Sequence, residues 1–360
     1  MYMSPHNVYI NTHSDTCFFD FAFVTSLPIC MHVCTDVSVC VCRMTEYRYI
    51  RKVHPTVQPT DQPQEQQADV FENEVEWLRP FKANIFFRLD SNFSLRNHPL
   101  FVSGAIVGMD SASVATVWAL KLGKSDTCLD MCCAPGMKMA LIHELVENVF
   151  GIDINETRLF VCRKLFHKFG VKSPNLFLKI SDDRLVHFET FIKSKRVKKQ
   201  KKRKAQSLNR PLHDETPTLP HSFDKVLVDV ECTHDGSDRH SQKFSNEENP
   251  TYNTKEKMEK LIELQKKLLI EGYHLCKPGG IIVYSTCSLQ SRQNEQIVNH
   301  LFAQFPNDVA HEDLPWVDCN NFPATMYTRS SCLFEPHISK TSGQFIAAIR
   351  KLHERSECVV

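Results

Sequence analysis

Cys232 and Cys287 each follow a short apolar run, Phe223 to Val230 (FDKVLVDV) and Ile281 to Thr286 (IIVYST). Runs of that length and β-branched content read as buried strands, so both thiols fall at strand ends. A thiolate is a strong nucleophile when its surroundings lower its pKa, and a second thiol beside it can move a proton. Spacing alone treats the two sulfurs alike. Ordinary burial is the competing explanation for either one taken singly, because free cysteine is among the most buried residue types. No further His/Cys cluster completes a four-ligand shell, so metal pairing of the two is poorly supported and no metal is expected.

Three acids fall at further strand ends: Asp130 after Thr127 to Leu129, Asp153 after Val149 to Ile152, and Asp182 after Asn175 to Ile180. The acid after the second strand is the usual partner of ribose hydroxyls in nucleoside-containing cofactors. A single Asp of this kind is more often a helix cap; three in successive units are a better signal. Between Asp130 and the next helix lies the turn Cys132-Cys133-Ala134-Pro135-Gly136, followed by helical spacing from Met137 to Glu147. Gly136 offers a backbone without Cβ interference and Pro135 stiffens the turn, so a small molecule can lie against the main chain there.

Stepping from these residues to the elements that must carry them, strand and helix alternate from Thr127 onward. A helix is expected over Glu156 to Phe169, with Arg158, Cys162 and Leu165 spaced along it. A long amphipathic helix is expected over Thr254 to Cys276 with a stripe of Met258, Leu261, Leu264, Leu268 and Leu269, and another helix over Gln290 to Phe302. Ser342 to Lys351 should be a late edge strand. This is an α/β chain with a doubly wound, mostly parallel sheet, expected to have seven strands.

Ahead of it, 70–122 reads as a small lead-in layer. Phe71, Val75, Leu78 and Phe81 share one helical face, and Pro80 ends or bends that helix. An extended apolar strip from Leu100, a Gly108-Met109-Asp110 turn and a helix capped by Ser111 or Ser113 follow. Residues 1–69 read as extension and linker. The cysteines of 1–43 match no paired zinc spacing, Met44 is an alternative start, and 54–69 is Pro/Gln-rich. The catalytic domain spans 123–352, interrupted by an insertion at 193–222.

That insertion opens with KSKRVKKQKKRK, nine Lys/Arg in the twelve positions from Lys193 to Lys204, while the whole chain has a formal net charge of +1. Nucleic-acid affinity must therefore come from local patches. The run suits phosphate contact, a nuclear targeting signal or a solvated loop. Fifteen cysteines without a compact disulfide framework fit a reduced intracellular chain. No stretch is apolar enough for a membrane span.

Asp130-Met131-Cys132-Cys133-Ala134-Pro135-Gly136-Met137-Lys138, Asp229-Val230-Glu231-Cys232 and Tyr284-Ser285-Thr286-Cys287-Ser288-Leu289 resemble the three defining motifs of the Sun/Fmu family of S-adenosylmethionine-dependent RNA cytosine-C5 methyltransferases. Gly108 to Ser113 resembles the upstream motif of that family, and the match covers roughly residues 70 to 352 in order. Two departures stand out: Met137 where the family usually has Gly, and Glu231-Cys232-Thr233-His234 in place of Pro-Cys-Ser-Gly. The latter form is similar to a eukaryotic, notably plant-like, branch.

The resemblance implies S-adenosyl-L-methionine held by Cys132, Cys133, Ala134, Pro135, Gly136, Met137, Lys138, Asp153, Arg158, Asp182 and Asp229. It implies Cys287 as nucleophile, Cys232 as general base for product release, and Asp229 with Lys138 on the base. The partner would be tRNA or rRNA presenting a single-stranded, looped or flipped cytosine to a monomer. The nucleus or nucleolus is favoured by the basic run, with mitochondrion and cytoplasm as alternatives. A catalytically inactive RNA-binding relative and a methyltransferase for another substrate are the competing classes, since fold alone does not fix substrate.

Overall fold

The computed structural model describes residues 47–53, 71, 73–82, 85–90, 93–169, 175–178, 220–237 and 255–352. Asp182, the extension 1–43 and the basic insertion lie outside them. Strands β4 (Thr127–Asp130), β5 (Asn148–Asp153), β6 (Asn175–Leu178), β7 (Phe223–Asp229) and β8 (Cys276–Thr286) run parallel in the order β6-β5-β4-β7-β8. Beyond β8 the sheet continues antiparallel through β12 (Gln344–Lys351), β11 (Ser331–Phe334) and β10 (Thr325–Thr328), with β9 (Val309–His311) also on β12.

Among the described residues the sheet therefore has nine strands rather than seven, and five of them are parallel. Nor is Gln344–Lys351 an edge: it lies between β8 and β11. Six of its eight residues are buried, which is the pattern of an interior strand.

Both faces of the parallel strands are covered, as their near-continuous apolar sequences require. Ile281 and Val283 of β8 point into one core, with Leu141, Leu159 and Phe166 from α3 (Met137–His143) and α4 (Glu156–Lys168). Ile282 and Tyr284 point into the other, with Leu268, Leu269 and Ile297 from α5 (Lys255–Leu275) and α6 (Glu295–Gln304). Gly272 lets α5 lie close on β7, since a Cβ there would come within 2.7 Å of Val228 Cγ2. None of the described helices is long and apolar enough to cross a membrane.

The lead-in layer differs from expectation. Its three-stranded antiparallel sheet has β1 (Tyr47–Lys52) at the centre, between β2 (Phe86–Asp90) and β3 (Ile106–Gly108). Strand β1 thus lies within the stretch read as extension and linker. Alternation explains it: Tyr49 faces the main core while Ile50 packs with Phe71, Phe87 and Ile106.

The helix expected over 71–81 shrinks to a 3₁₀ turn at Glu76–Leu78. The preceding backbone pairs with β2 instead, through Val75 N–H to Phe86 O at 2.9 Å and Arg88 N–H to Asn73 O at 2.7 Å. Part of the apolar strip from Leu100 is the short helix α1 (Pro99–Ser103), ended by Gly104 at φ 87°. The cap of α2 (Ser111–Trp118) is neither serine but Asp110, whose carboxylate accepts Ala112 N–H at 2.9 Å.

Candidate active site

The parallel register of β7 and β8 sets Asp229 opposite Ser285. The two strand ends therefore coincide, and the turns that follow meet. Cys232 Sγ lies 3.2 Å from Cys287 Sγ, and His234 Nδ1 lies 2.9 Å from Cys287 Sγ and 3.7 Å from Cys232 Sγ.

A polar network beneath the thiols fixes both turns. Gln293 donates to Thr233 Oγ1 at 2.8 Å and to Ser288 Oγ at 3.0 Å, and accepts Thr233 N–H at 3.1 Å. Gln265 of α5 reaches Glu231 O at 2.8 Å, and Asn294 accepts from Thr286 Oγ1 at 2.6 Å. Gln265, Gln293 and Asn294 are buried, and their hydrogen bonds hold the two turns in one arrangement, although Gln265 Oε1 has no partner among the described residues. Tight backbone packing adds to this. Gly236 N–H donates to Cys287 O at 3.0 Å and Gly236 O accepts Gly343 N–H at 2.6 Å. A Cβ on Gly236 would stand 2.7 Å from Cys287 O.

Two sulfurs this close lose a first proton easily and a second with difficulty. Cys232 is brought down to about 6, foremost by the hydrogen bond with Cys287 and then, against burial, by His234. Cys287 is pushed well up, foremost by that same hydrogen bond to Cys232 and by burial. Burial opposes charge on His234, but Cys232, Glu231 and Asp229 outweigh it and its pKa rises. The donor atoms of Cys232, His234 and Cys287 lie within 4.8 Å of one another. Sulfurs on one tetrahedral zinc stand roughly 3.8 Å apart at ~2.3 Å Zn–S. The 3.2 Å spacing is that of a thiol beside a thiolate.

Cys287 opens on a cavity of about 720 Å³, which Lys138, Asp229 and the Cys132 turn also line. Lys138 Nζ is 2.8 Å from Asp229 Oδ2, and Ser285 Oγ donates to Asp229 Oδ1 at 2.6 Å. Burial works against the Lys138 ammonium, yet the Asp229 charge raises its pKa. Asp130, buried beneath them, is lifted to about 8 by desolvation and by the Asp229 charge.

At the other end, Asp153 is 3% exposed and accepts Ala134 N–H at 3.2 Å and Asn155 N–H at 2.8 Å. Arg158 Nη1 lies 3.7 Å from Asp153, and its Nη2 donates to Ala134 O. Gly136, at φ 108°, begins α3 with a backbone that L residues avoid.

Of the expected contacts, Cys132, Ala134, Pro135, Lys138, Asp153, Arg158, Asp229 and Cys287 line the cavity. Cys133 does not: it is buried, its carbonyl accepting from Cys162 Sγ at 3.8 Å. Met137 packs on the core, and Gly136 shapes the turn without lining the space. Cys232 touches Cys287 from behind and is itself fully buried. Wall residues that carried no site role in the sequence reading include Asp110, Ile154, His234 and Gln344. Asp110 bonds Ser342 N–H at 3.0 Å, and Gln344 Nε2 reaches Asp229 Oδ1 at 3.4 Å. The Gly108 to Ser113 resemblance was the available signal for Asp110, and the departure from the family turn was the signal for His234.

The chain is similar to several known proteins. Ribosomal RNA small subunit methyltransferase F of Serratia proteamaculans is 28% identical over 274 residues, 74% of this chain and 49% of that protein. The 5-cytosine rRNA methyltransferase NSUN4 of Bos taurus is 36% identical over 194 residues, 53% of this chain and 43% of that protein. The chain thus spans about half the length of the curated relatives it matches.

Among solved structures, a methyltransferase homolog protein from Pyrococcus horikoshii shares the fold. Its TM-score is 0.56 at 24% identity, over 85% of this chain and 86% of that one. NSun6 from Pyrococcus horikoshii, solved with SFG, has a TM-score of 0.53 at 22% identity, over 73% of this chain and 57% of that one. The model of one family, described as 16S rRNA methyltransferase RsmB/F, matches residues 117–350, from α2 through β12 with both thiol turns inside the match, and to that family this chain belongs.

Proposed function

We propose that this chain transfers a methyl group from S-adenosylmethionine to carbon 5 of cytosine in RNA through a covalent adduct on Cys287. The observation that carries this reading is Cys287 at the wall of a cavity that also holds the Lys138–Asp229 ion pair, with the Cys232 sulfur 3.2 Å behind it. Carbon 5 of cytosine is too weak a nucleophile to take a methyl group unaided. A thiolate adding at carbon 6 makes carbon 5 enamine-like.

In this reading Cys287 forms the bond to carbon 6, while Asp229, oriented by Lys138 and Ser285, faces the N3/N4 edge and favours protonation there. S-adenosylmethionine, when bound, supplies the methyl group. Cys232 then takes the proton from carbon 5. The electrons of that C–H bond restore the C5–C6 double bond as the Cys287–C6 bond breaks, and Cys287 leaves as a thiolate.

The residues at the far end suit a nucleoside cofactor. Asp153 offers a buried carboxylate, Ile154 an exposed apolar side chain beside it, and Ala134–Pro135 a flat stretch of backbone. Asp153, Ile154, Arg158 and the Cys132 turn would hold it. A base inside a duplex cannot reach Cys287, so the target cytosine must be unstacked. Transfer of labelled methyl from S-adenosylmethionine into RNA, mapped by bisulfite sequencing, tests the reading. Equal incorporation by the wild type and by Cys287→Ala would end it, and no incorporation by either would favour an RNA-binding relative without activity.

A further inference from the structure

His234 holds a backbone conformation that side chains rarely adopt, with φ at 56°. Left-handed positions of this kind favour glycine, and histidine is among the few side chains enriched there. Its Nδ1 is 2.9 Å from Cys287 Sγ, closer than the other sulfur, and His234 lines the cavity. The groups that face the ring are Cys232, Glu231 and Asp229 from its own strand end and turn, and Cys287 from the β8 turn. Lys138 of α3 lies near enough to act on the Cys287 charge. Three of these neighbours carry or share negative charge, and the lysine is already paired with Asp229 at 2.8 Å.

We propose that His234 is a third catalytic residue of the thiol site: its Nδ1–H donates to Cys287 Sγ and stabilises that sulfur as a thiolate, and its ring carries off the one proton that each turnover releases. This rests on the methyl-transfer reading above for its second half only. The proton balance requires such a group. Each turnover replaces the hydrogen on carbon 5 with a methyl group and releases one proton by way of Cys232. That thiol is fully buried, with Cys287 at 3.2 Å and His234 at 3.7 Å. When Cys287 adds to carbon 6 the shared proton is left on Cys232 and passes to the imidazole. Cys232, now a thiolate, takes the carbon-5 proton, elimination returns the pair to one shared proton, and the imidazolium gives its proton to water in the cavity. The same imidazolium stands beside Cys287 when its bond to carbon 6 breaks and the electron pair returns to sulfur.

The test compares full-length wild type, His234→Gly and His234→Asn, both replacements being residues that accept a positive φ. Rates of Cys287 alkylation by iodoacetamide are followed against pH by peptide mass spectrometry, with neither RNA nor cofactor present. The expected result is a thiolate profile displaced to higher pH in both variants, with alkylation near pH 7 slower by about tenfold, one pKa unit. Unchanged melting temperatures establish that the variants fold. Added imidazole should restore the His234→Gly rate, as a space left by the ring can take it. Profiles that coincide for all three proteins would overturn the proposal. A displaced profile in a protein that methylates no RNA sinks the methyl-transfer reading and the proton-carrying half, while the hold on the Cys287 sulfur stands.

Discussion

Lys138 and Asp229 come from different layers, one from the first turn of α3 and the other from the end of β7, and meet at 2.8 Å across the cavity wall. Ser285 takes the second carboxylate oxygen at 2.6 Å, so Asp229 has little freedom to turn. If it orients the base, Asp229→Asn should lower kcat by about 10² or more, as loss of one preorganised group at a reacting centre commonly does. Lys138→Met should lower it less, because Ser285 still holds the carboxylate. Steady-state methyl incorporation measures both, and an Asp229→Asn enzyme with unchanged kcat removes Asp229 from the chemistry.

The two cysteines act at different times, and their variants should fail differently. Cys287→Ala should form no covalent species. Cys232→Ala should form the adduct and fail to resolve it, leaving a protein–RNA conjugate that survives a denaturing gel. The reverse pattern would exchange the two roles.

The acid limb of activity should lie near pH 6, where Cys232 titrates. Its depressed pKa means that the thiolate is present above about 6 and lost as pH falls through that value. A profile of kcat/KM that stays flat down to pH 5 would mean that the pair is not the titrating group.

Asp153→Ala should weaken S-adenosylmethionine binding by roughly tenfold to a hundredfold, the worth of a hydrogen bond to a charged group. Part of that loss would come through the backbone, because Asp153 also holds Ala134 N–H and Asn155 N–H. Calorimetry reads it directly. Equal affinity would place the cofactor elsewhere.

Gly151 lies under the cofactor turn, where a Cβ would stand 2.4 Å from Met139 Sδ and 2.9 Å from Cys133 Sγ. Gly151→Ala should cost about 1–3 kcal/mol of stability by overpacking. Chemical denaturation against wild type measures it, and a neutral result would show that Met139 moves aside freely.

Much of the site could be read from residue order, because strand-end chemistry depends on local pattern. Asp130, Asp153, Cys232 and Cys287 each follow a recognisable apolar run. What pattern could not supply was neighbourhood. That β7 and β8 are adjacent and share a register is a fact about residues more than fifty apart in sequence. The Gln265–Gln293–Thr233 network draws on three elements. Asp110 was missed as a cap because two serines after it were equally eligible by type. Helical spacing at 71–81 misled because Val75 bonds to β2, a partner chosen by tertiary contact. The expectations at Asp182 and in the basic insertion fall outside the described residues.

The placement of β12 bears on how the protein is made. Synthesis is vectorial, and β4, β5, β7 and β8 leave the ribosome well before residues 344–351. Until those residues slot between β8 and β11, Gly236 lacks the Gly343 N–H that meets its carbonyl, and Asp229 lacks Gln344. A nascent chain at that stage holds both thiols with the Gln293 network already made, but without the β12 contacts to Gly236 and Asp229. Joining β12 to β8 is a late, long-range step, slow relative to local folding. The last contacts around Gly236 and Asp229 are therefore completed only when β12 joins the sheet.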